Sequence, residues 1–570
     1  MYQAGWAKRD LSVTPRGYAM QGYGNWHQKD RGQNTPLYAR ALTIAEHGAP
    51  VLIFCCLDLG YITHAMRESV RAGLAAAMGG AFDEARFCLT CTHTHSGPGG
   101  CTHDVMYNLV TPGFVPAYLD AIVSATTGAI LAAWRSAAPA SLTLSAGAFA
   151  DATEVAWNRS LAAYNRNPDV TPRRPTETHL ALDRAMRVLT LARDGQPQAL
   201  LSLFGVHATC IGRTNTLYDA DNKGYAATGA EAALAAQGAT DPVAIFAQAT
   251  AGDVSPHFHG PGQTARRNAI KGEAEYAYAA ANGALQTAQA LALLAAPGLA
   301  LHGPIDAIFT YVDFTALTAD PAYANGAPDA VTSEPCHGVG FFAGTPVDGP
   351  GLPTPLVWLF TRLANRLKRQ RLARLDSFSA TDQDYYRRLY AAQGVKPILQ
   401  ESGRKLLLGG ALGGGGIPDF IDPTVAETKR QARAGAMRES AMVPTVLPLQ
   451  ILILGDLALI SCPGEFTTTA GARLRQTVAT RLAPRGVVHV LLATYCNDYM
   501  GYVTTWEEYQ QQAYEGGHTI FGQWTLAAFQ TQFAALADEL CKPQAARTHD
   551  RTTRPAPAPP DELALRTARA

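Results

Sequence analysis

The stretch ARFCLTCTHTHSGPGG, residues 85–100, joins an apolar segment to an abrupt polar turn. Its first half is a continuous run of apolar and small residues, which is typical of a strand buried on both faces of a sheet. His93 and His95 follow two residues apart, so on an extended strand both imidazoles would point the same way. The glycines of the turn have no Cβ and let a ligand approach the backbone. The stretch predicts half of a metal or substrate site at a strand end.

Further apolar runs of strand length surround this stretch and alternate with Ala-rich helix candidates. The runs cover residues 50–60, 199–209, 242–255, 449–465 and 487–498, and the helix candidates cover 65–79, 117–137 and 224–237. Continuous apolar strands imply sheets covered on both faces, which predicts a mixed, layered α/β fold with sheets flanked by helices. We expect one large catalytic domain over residues 1–543, without a C-terminal β-sandwich.

The predicted strands share a polar, chemically capable residue at or just beyond the end. These residues are Asp58, His93 and His95, His207, Ser255 and Glu465. Ligand sites of α/β sheets form where strands end and loops begin. Loops are polar in any protein, which explains one or two of these residues more easily than all of them. The pattern therefore favours a shared site.

The composition excludes several classes of partner. The 570 residues contain 47 Lys plus Arg and 47 Asp plus Glu, so the chain has no net field that would attract nucleic acid. The N-terminus lacks the apolar core of a secretory signal, and no run of about 18 apolar residues predicts a membrane span. Ten cysteines lack framework spacing. We expect a reduced, soluble, cytoplasmic protein, and no sequence feature sets its oligomeric state.

Residues 355–420 form a predicted insertion over or near the site. Its first part, 355–375, is a basic amphipathic helix candidate with Trp358, Phe360, Leu363 and Leu367 on the apolar side. Such a helix would either contact an anionic membrane surface peripherally or pack over the site. The glycine-rich stretch LLLGGALGGGG, residues 406–416, predicts a mobile loop.

The Pro-rich residues 544–570 have the composition of a disordered tail. We therefore place them outside the catalytic domain.

The turn itself carries a specific resemblance, because THTHSGPGG resembles the signature of the neutral, non-lysosomal ceramidases. These are zinc amidases that cleave N-acyl sphingosine. Further segments resemble the family in the same order, from about residue 15 to residue 540. They are RGYAMQGYG (16–24), NRS (158–160), GVHAT (205–209), DNKGYAA (221–227), GDVSP (252–256), GFFAGTPVDGPG (340–351), KPIL (396–399), PGEFTTTAGARLR (463–475) and YVTTWEEYQQQAYE (502–515).

The resemblance implies one zinc ion per chain, held by His93, His207, Glu465 and Tyr502. Two imidazoles, a carboxylate and a phenol oxygen leave an open position for water. Zinc lowers the pKa of that water toward about 7, which would produce the nucleophile that attacks the amide. Tyrosine is an unusual ligand, so an aromatic residue in a loop is the alternative for Tyr502.

The resemblance also implies catalytic roles around the metal. We assign His95 to proton transfer, and Arg159 and Tyr514 to charge stabilisation or to the substrate's hydroxyls. Ser255 is either a nucleophile or a substrate ligand, and the zinc-water mechanism favours the second role. Asp253 is expected to orient a neighbouring residue.

Gly22 and Gly99 are candidate substrate-binding positions, because their backbones can approach a ligand closely.

The predicted function is zinc-dependent hydrolysis of the amide bond of ceramide or a related N-acyl lipid, giving a fatty acid and a sphingoid base or other amine. Cys101 and His257 depart from the family pattern, as do the expected lack of a signal sequence and of a β-sandwich. One alternative is therefore a zinc amidohydrolase or esterase acting on a non-sphingoid substrate, including a small soluble amide. A less favoured alternative is a non-catalytic binding protein with the same fold.

Overall fold

The first of two packed sheets has nine strands in mixed orientation. The computed structural model describes residues 2–11, 13–111, 113–257, 264–349, 351–414 and 423–568. In spatial order the sheet contains Val243–Ala247, Gln196–Leu203, Ala185–Arg193, Ala138–Ala148, Tyr2–Asp10, Tyr38–Ala45, Leu52–Leu57 and Phe87–Cys91, with Leu299–Ala300 paired to Ala138–Ala148. The two outermost pairings are parallel and the others along this order are antiparallel.

The second sheet packs face to face on the first. Its strands, in spatial order, are Ile305–Asp313, Val446–Leu454, Leu457–Ser461 and His489–Ala493. Side chains of both sheets meet in one apolar core, where Leu42 and Phe54 of the first sheet cluster with Leu452 and Leu459 of the second. Alternate residues of these strands therefore face the partner sheet, and the others face the helices.

Helices cover both outer faces and give four layers. His64–Met78 and Pro116–Arg135 cluster with one half of the first sheet. Asp221–Ala236 and Glu273–Ala295 cover its other half. Thr468–Leu482 and Thr525–Leu540 cover the second sheet. This arrangement confirms the mixed, layered α/β fold predicted from the apolar strands.

Helix Pro116–Arg135 has the length and hydropathy of a membrane span, alone among the described residues. A core helix of a globular domain can have the same hydropathy. Here Tyr118, Leu119, Ile122 and Ile130 are buried against the first sheet. A proline at its first turn fits the unsatisfied N–H positions at a helix start.

Shorter elements connect these layers. The remaining α-helices are Val105–Asn108, Leu161–Tyr164, Thr264–Asn268, Val339–Ala343, Thr354–Ala373, Ala380–Gln393, Pro423–Arg433, Trp506–Tyr509, Tyr514–Gly517 and Pro560–Arg566. Two-residue strand pairs are Met20–Gln21 with Gly97–Pro98, Gly32–Gln33 with Leu217–Tyr218, Trp157–Asn158 with Val254–Ser255, and Glu465–Phe466 with Tyr502–Val503. Among the described residues, no strand follows Tyr502–Val503.

The glycine-rich part of the insertion is more regular than predicted. Leu406–Leu407 and Gly410–Ala411 form a hairpin that joins Cys336–Gly338 and Ile398–Glu401 in a four-stranded sheet. Its two turn residues, Leu408 and Gly409, both have positive φ, as a tight hairpin turn requires. Residues 406–411 therefore form a regular hairpin, whereas the mobility of this stretch stays a prediction, and residues 415 and 416 lie outside the described part.

The C-terminal segment also differs from the predicted disordered tail. Arg547 pairs with Asp306, and helix Pro560–Arg566 packs on the domain. The buried Arg566 donates to the carbonyl oxygen of His103 and to the Ser440 hydroxyl. Composition alone indicated disorder, whereas these ion pairs and buried hydrogen bonds compensate for the ordering entropy.

Candidate active site

Loops from distant parts of the chain are aligned by the two-residue strand pairs. Glu465 and Tyr502 are direct partners in one parallel pair, and Ser255 faces Trp157 in another. Gly97–Pro98 pairs with Met20–Gln21 below the histidine turn. The paired loops follow strands of both sheets, so the site forms where the strands end, as the sequence indicated.

His93 and His95 do not lie on the strand, which ends at Cys91. His93 adopts φ of 66°, a left-handed conformation that is uncommon for a residue with a Cβ. The two Nε2 atoms nevertheless lie 3.1 Å apart. The expectation that both side chains share one face of a strand is therefore wrong, and the turn itself brings the imidazoles together.

His93, His207 and Glu465 form a candidate metal site. Their ligand atoms all lie within 4.8 Å of one another, and all three side chains are buried. The Nδ1 atom of His93 donates to the Gly60 carbonyl and that of His207 donates to the Val254 carbonyl, 3.0 Å away. With each Nδ1 engaged by a carbonyl, Nε2 is the ring nitrogen that remains to bind a metal. The Nε2 atom of His93 lies 3.5 Å from Oε1 of Glu465, and that of His207 lies 3.1 Å from Oε2.

The pocket fixes the charge states that metal binding requires. Burial lowers the pKa of His93 to about 4, which keeps its imidazole neutral. Burial by itself would raise the pKa of Glu465, but His93, His207 and a hydrogen bond from Tyr499 lower it well below its usual value. The site thus presents a carboxylate at Glu465 and a neutral imidazole at His93.

Two tyrosines that the sequence analysis left unassigned hold the Glu465 carboxylate. Tyr495 donates to Oε2 at 2.9 Å and Tyr499 donates to Oε1 at 2.7 Å. Tyr495 also stacks on the His93 ring, with centroids 4.2 Å apart. Both follow the strand His489–Ala493. Their position just beyond a strand end is the sequence feature that could have predicted a place in the site.

Tyr502 lies beside the cluster of His93, His207 and Glu465. Its hydroxyl is 3.2 Å from Nε2 of His207 and accepts a hydrogen bond from Nη2 of Arg159 at 3.1 Å. Burial and the nearby Glu465 raise the pKa of Tyr502, and Arg159 acts against this shift. The structure therefore brings the fourth predicted ligand to the same pocket.

Arg159 is buried and connects the pocket to two carboxylates. Nη1 is 3.0 Å from Asp348 and Nε is 3.0 Å from Glu515, while Nη2 also donates to the Gly252 carbonyl. Neither Asp348 nor Glu515 was singled out in the sequence analysis. Both lie within segments that resemble the family, but a carboxylate in a loop carries no periodic signal.

Ser255 is held by Asp348 on the same side. Its hydroxyl donates to Oδ1 of Asp348 at 2.8 Å and accepts from the backbone N–H of His257 at 3.0 Å. Burial raises the pKa of Asp348, but Arg159 with His207 and His257 lowers it below the usual value. Asp348 is therefore a weak base toward the Ser255 hydroxyl.

Asp253 fastens two loops together. Its carboxylate accepts from Asn158 at 2.7 Å and from both the backbone N–H and the hydroxyl of Thr468, at 2.8 and 2.9 Å. Burial raises its pKa to about 7. The structure shows Asp253 as a group that orients the segments around Arg159, whose N–H donates to the Asp253 carbonyl.

The two candidate substrate-binding glycines occupy packed positions. Gly22 has φ of 115°, and a Cβ there would collide with the His95 ring. A Cβ at Gly99 would collide with the Ala19 carbonyl. Gly22 therefore lies against a candidate catalytic residue, whereas Gly99 allows two backbone segments to pack closely.

Tyr514 lies at the edge of the pocket. Its half-buried ring is edge-on to Tyr502 at 5.2 Å and stacks on Phe341 at 5.7 Å. The Arg159 guanidinium lies 5.6 Å from the ring centre. The structure thus gathers Tyr514, Arg159 and Tyr502, while His95 lies against His93.

The fold and this pocket together define a mixed, layered α/β enzyme whose candidate site combines two imidazoles with a carboxylate. The model of the family described as neutral/alkaline non-lysosomal ceramidase, N-terminal, matches residues 2–406 and 426–531. The chain belongs to this family, whose members hydrolyse linear amide bonds.

Relatives and solved structures agree with this assignment. The neutral ceramidase of Pseudomonas aeruginosa is 32% identical over 94% of this chain and 72% of its own length, and that of Mycobacterium tuberculosis is 30% identical over 95% and 77%. The structure titled "Ceramidase complexed with C2" superimposes with a TM-score of 0.79 at 30% identity, covering 97% of this chain and 77% of that one. The crystal structure of the Pseudomonas aeruginosa neutral ceramidase gives a TM-score of 0.76 at 29% identity, covering 99% and 77%.

Proposed function

We propose that this protein hydrolyses the amide bond of ceramide or a related N-acyl lipid, releasing a fatty acid and a sphingoid base or other amine. The supporting observation is the buried cluster of His93, His207 and Glu465 beside Tyr502, in a chain of the neutral ceramidase family. We propose one zinc ion per chain as the metal.

The donor atoms fit zinc. Ligand atoms of a tetrahedral zinc site lie about 3.3 Å apart, because each lies about 2.0–2.1 Å from the ion. Three separations in the cluster are near that spacing: 3.1 Å from His207 to Oε2 of Glu465, 3.5 Å from His93 to Oε1 of Glu465, and 3.2 Å from His207 to Tyr502. The ligand atoms of His93, His207 and Glu465 all lie within 4.8 Å of one another. Zinc, when bound, supplies Lewis-acid chemistry and lowers the pKa of water toward about 7.

The residues around this cluster provide the remaining functions. We assign proton transfer to His95, whose Nε2 lies 3.1 Å from that of His93. Burial lowers the pKa of His95 well below its usual value, so its imidazole is neutral before the reaction. Arg159 fixes the Tyr502 hydroxyl through a hydrogen bond and keeps Asp348 ionised through an ion pair. Tyr514 lies at the edge of the pocket, where its hydroxyl would contact the polar part of a substrate.

Ser255 positions the substrate in this scheme. Its hydroxyl donates to an Asp348 carboxylate whose pKa is lowered, so no strong base is aligned to activate it as a nucleophile. A hydrogen bond from the substrate to Ser255 would extend the network of Asp348 and Arg159.

The test compares fluorescent N-acyl sphingosines with N-acyl amino acids, using zinc-loaded wild type and His93→Ala. The exposed His47→Ala serves as the matched control. We expect cleavage of the N-acyl sphingosine by wild type and by the control, and loss of cleavage in His93→Ala. Cleavage of the N-acyl amino acid alone would replace the substrate with a non-sphingoid amide, and a zinc-loaded wild type that cleaves neither would refute the proposal.

A further inference from the structure

Helix Thr354–Ala373 exposes large apolar side chains, although a surface helix normally buries them. Trp358 is 57% exposed, Leu359 42% and Leu363 40%, and Leu356 and Leu372 are exposed as well. The inward face carries the buried Ala364 instead. No other α-helix in the described part of the chain exposes as many large apolar residues.

The predicted apolar side of this helix is wrong in part. Phe360 and Leu367 are half-buried and face the domain, whereas Trp358 and Leu363 face outward. Residues 358 and 360 differ by about 200° around a helix, so they cannot share a narrow face. The exposed surface is therefore distinct from the stripe that packs on the protein.

The same outward surface is positively charged. Arg362, Arg366 and Arg369 are exposed, and residues 354–373 contain no Asp or Glu. The Arg362 guanidinium lies 4.0 Å from the centre of the Trp358 ring. Mixed arginine and Trp/Leu side chains suit a membrane interface, where guanidinium groups contact phosphates and apolar groups enter the acyl boundary.

The helix is also continuous with the active site. The loop that precedes it carries Asp348, which binds Arg159 and Ser255. The backbone N–H of Leu352, just before the helix, donates to the carbonyl of Phe342. The neighbouring Phe341 stacks on Tyr514. A surface that docks here would lie close to the candidate site.

We propose that the outward face of helix Thr354–Ala373 docks on the surface of an anionic lipid bilayer. Trp358 and Leu359 enter the boundary between headgroups and acyl chains, and Arg362, Arg366 and Arg369 bind lipid phosphates. The positive charge without acidic neighbours on the helix selects an anionic surface rather than a neutral one. This inference rests on the proposed function in one respect, because a bilayer is where an N-acyl lipid substrate resides.

The experiment measures sedimentation of the full chain with vesicles of phosphatidylcholine containing about one-third phosphatidylserine, and with vesicles of phosphatidylcholine alone. The variants are Trp358→Glu/Leu359→Glu and Arg362→Gln/Arg366→Gln/Arg369→Gln. The matched control, Val488→Glu/Leu285→Glu, changes two exposed apolar residues elsewhere, which are 70% and 37% exposed. Circular dichroism and hydrolysis of a soluble short-chain substrate show that each variant is folded.

We expect wild type and control to sediment with the anionic vesicles only. The arginine variant should bind about 100-fold more weakly, since each of the three arginines near the surface contributes about fivefold. The Trp358→Glu/Leu359→Glu variant should also bind more weakly, because it places two negative charges on the face that meets the lipid. Equal binding of wild type and both helix variants would overturn the inference, as would failure of wild type to bind anionic vesicles. Equal wild-type binding to both vesicles would overturn it too. Binding is measured without turnover, so a chain that binds but does not cleave ceramide refutes the proposed function alone.

Discussion

The cluster of His93, His207 and Glu465 differs from helix Thr354–Ala373 in how far its side chains have partners within the chain. In this cluster, the Nδ1 atoms of His93 and His207 and both oxygens of Glu465 have partners within the chain. On the helix, Trp358 is 57% exposed and Leu359 42% exposed, so each leaves a large part of its apolar surface in solvent. Buried groups are thus fixed by neighbours that the fold provides, while the exposed set is available to a partner outside the chain.

The largest effect should come from breaking the pocket at Glu465. In Glu465→Gln the carboxylate charge is lost, so we expect bound zinc to fall below about one tenth of an equivalent and activity to fall at least about 1,000-fold. Metal analysis after gel filtration and initial rates measure the two effects. The partly exposed Glu177→Gln, which pairs with Arg174 at the surface, should keep full metal content. Full zinc content in Glu465→Gln would contradict the ligand assignment.

A smaller effect should follow when only a supporting hydrogen bond is removed. Tyr499→Phe deletes the donor to Oε1 of Glu465 and leaves every proposed ligand in place. Substitution of a residue that orients a metal ligand typically lowers the affinity for the metal by about 10- to 100-fold. Competition with a zinc chelator measures the loss, and Tyr311→Phe, which lies outside the pocket, is the control. An unchanged affinity would show that Tyr495 alone orients the carboxylate.

A third prediction concerns a buried lysine between the two regions. Burial lowers the pKa of Lys396 to about 7, and its Nζ donates to the carbonyls of Cys336 and Thr519. The unfolded chain keeps this proton up to about pH 10.4, so the free energy of unfolding rises with pH in between, by up to about 1.4 kcal/mol per pH unit.

Lys396→Met should lose that rise. Urea unfolding at about pH 7.5 and about pH 9.5 measures the slope in each protein. The exposed Lys271→Met should behave like wild type. If Lys396→Met and wild type kept the same slope, the lysine would be charged in the folded protein.

The smallest effect is expected for the free helix face. Trp358→Ala removes a side chain that is 57% exposed, so the free energy of unfolding should change by less than about 0.5 kcal/mol. Thermal or urea unfolding measures this change, and the half-buried Phe360→Ala provides the contrast with a larger loss. A loss of several kcal/mol for Trp358→Ala would show that the ring packs on the domain.

Much of the framework could be predicted from the sequence, because continuous apolar runs of this length usually form strands buried on both faces of a sheet. Residues 50–60 and 487–498 contain the strands Leu52–Leu57 and His489–Ala493. His207 and Glu465 could be proposed because each follows such a run and lies in a segment resembling the family. Burial and sheet pairing then bring them together without further information.

Other features depended on contacts that leave no local pattern. The positive φ of His93 is imposed by its neighbours, and Asp348 reaches Arg159 from a loop 189 residues away in sequence. The inward face of helix Thr354–Ala373 is selected by the surface on which it packs, since both faces carry apolar residues. The order of the C-terminal segment likewise depends on partners such as Asp306 and Ser440.

The attachment of the C-terminal segment has a consequence for biosynthesis. The Phe114 backbone exchanges hydrogen bonds with Arg566 and Ala568, and Gly113 has no room for a Cβ beside the Arg566 carbonyl. The loop that follows the histidine turn therefore acquires these neighbours only after residues 566–568 have left the ribosome. Until then this corner of the protein is incomplete in the nascent chain.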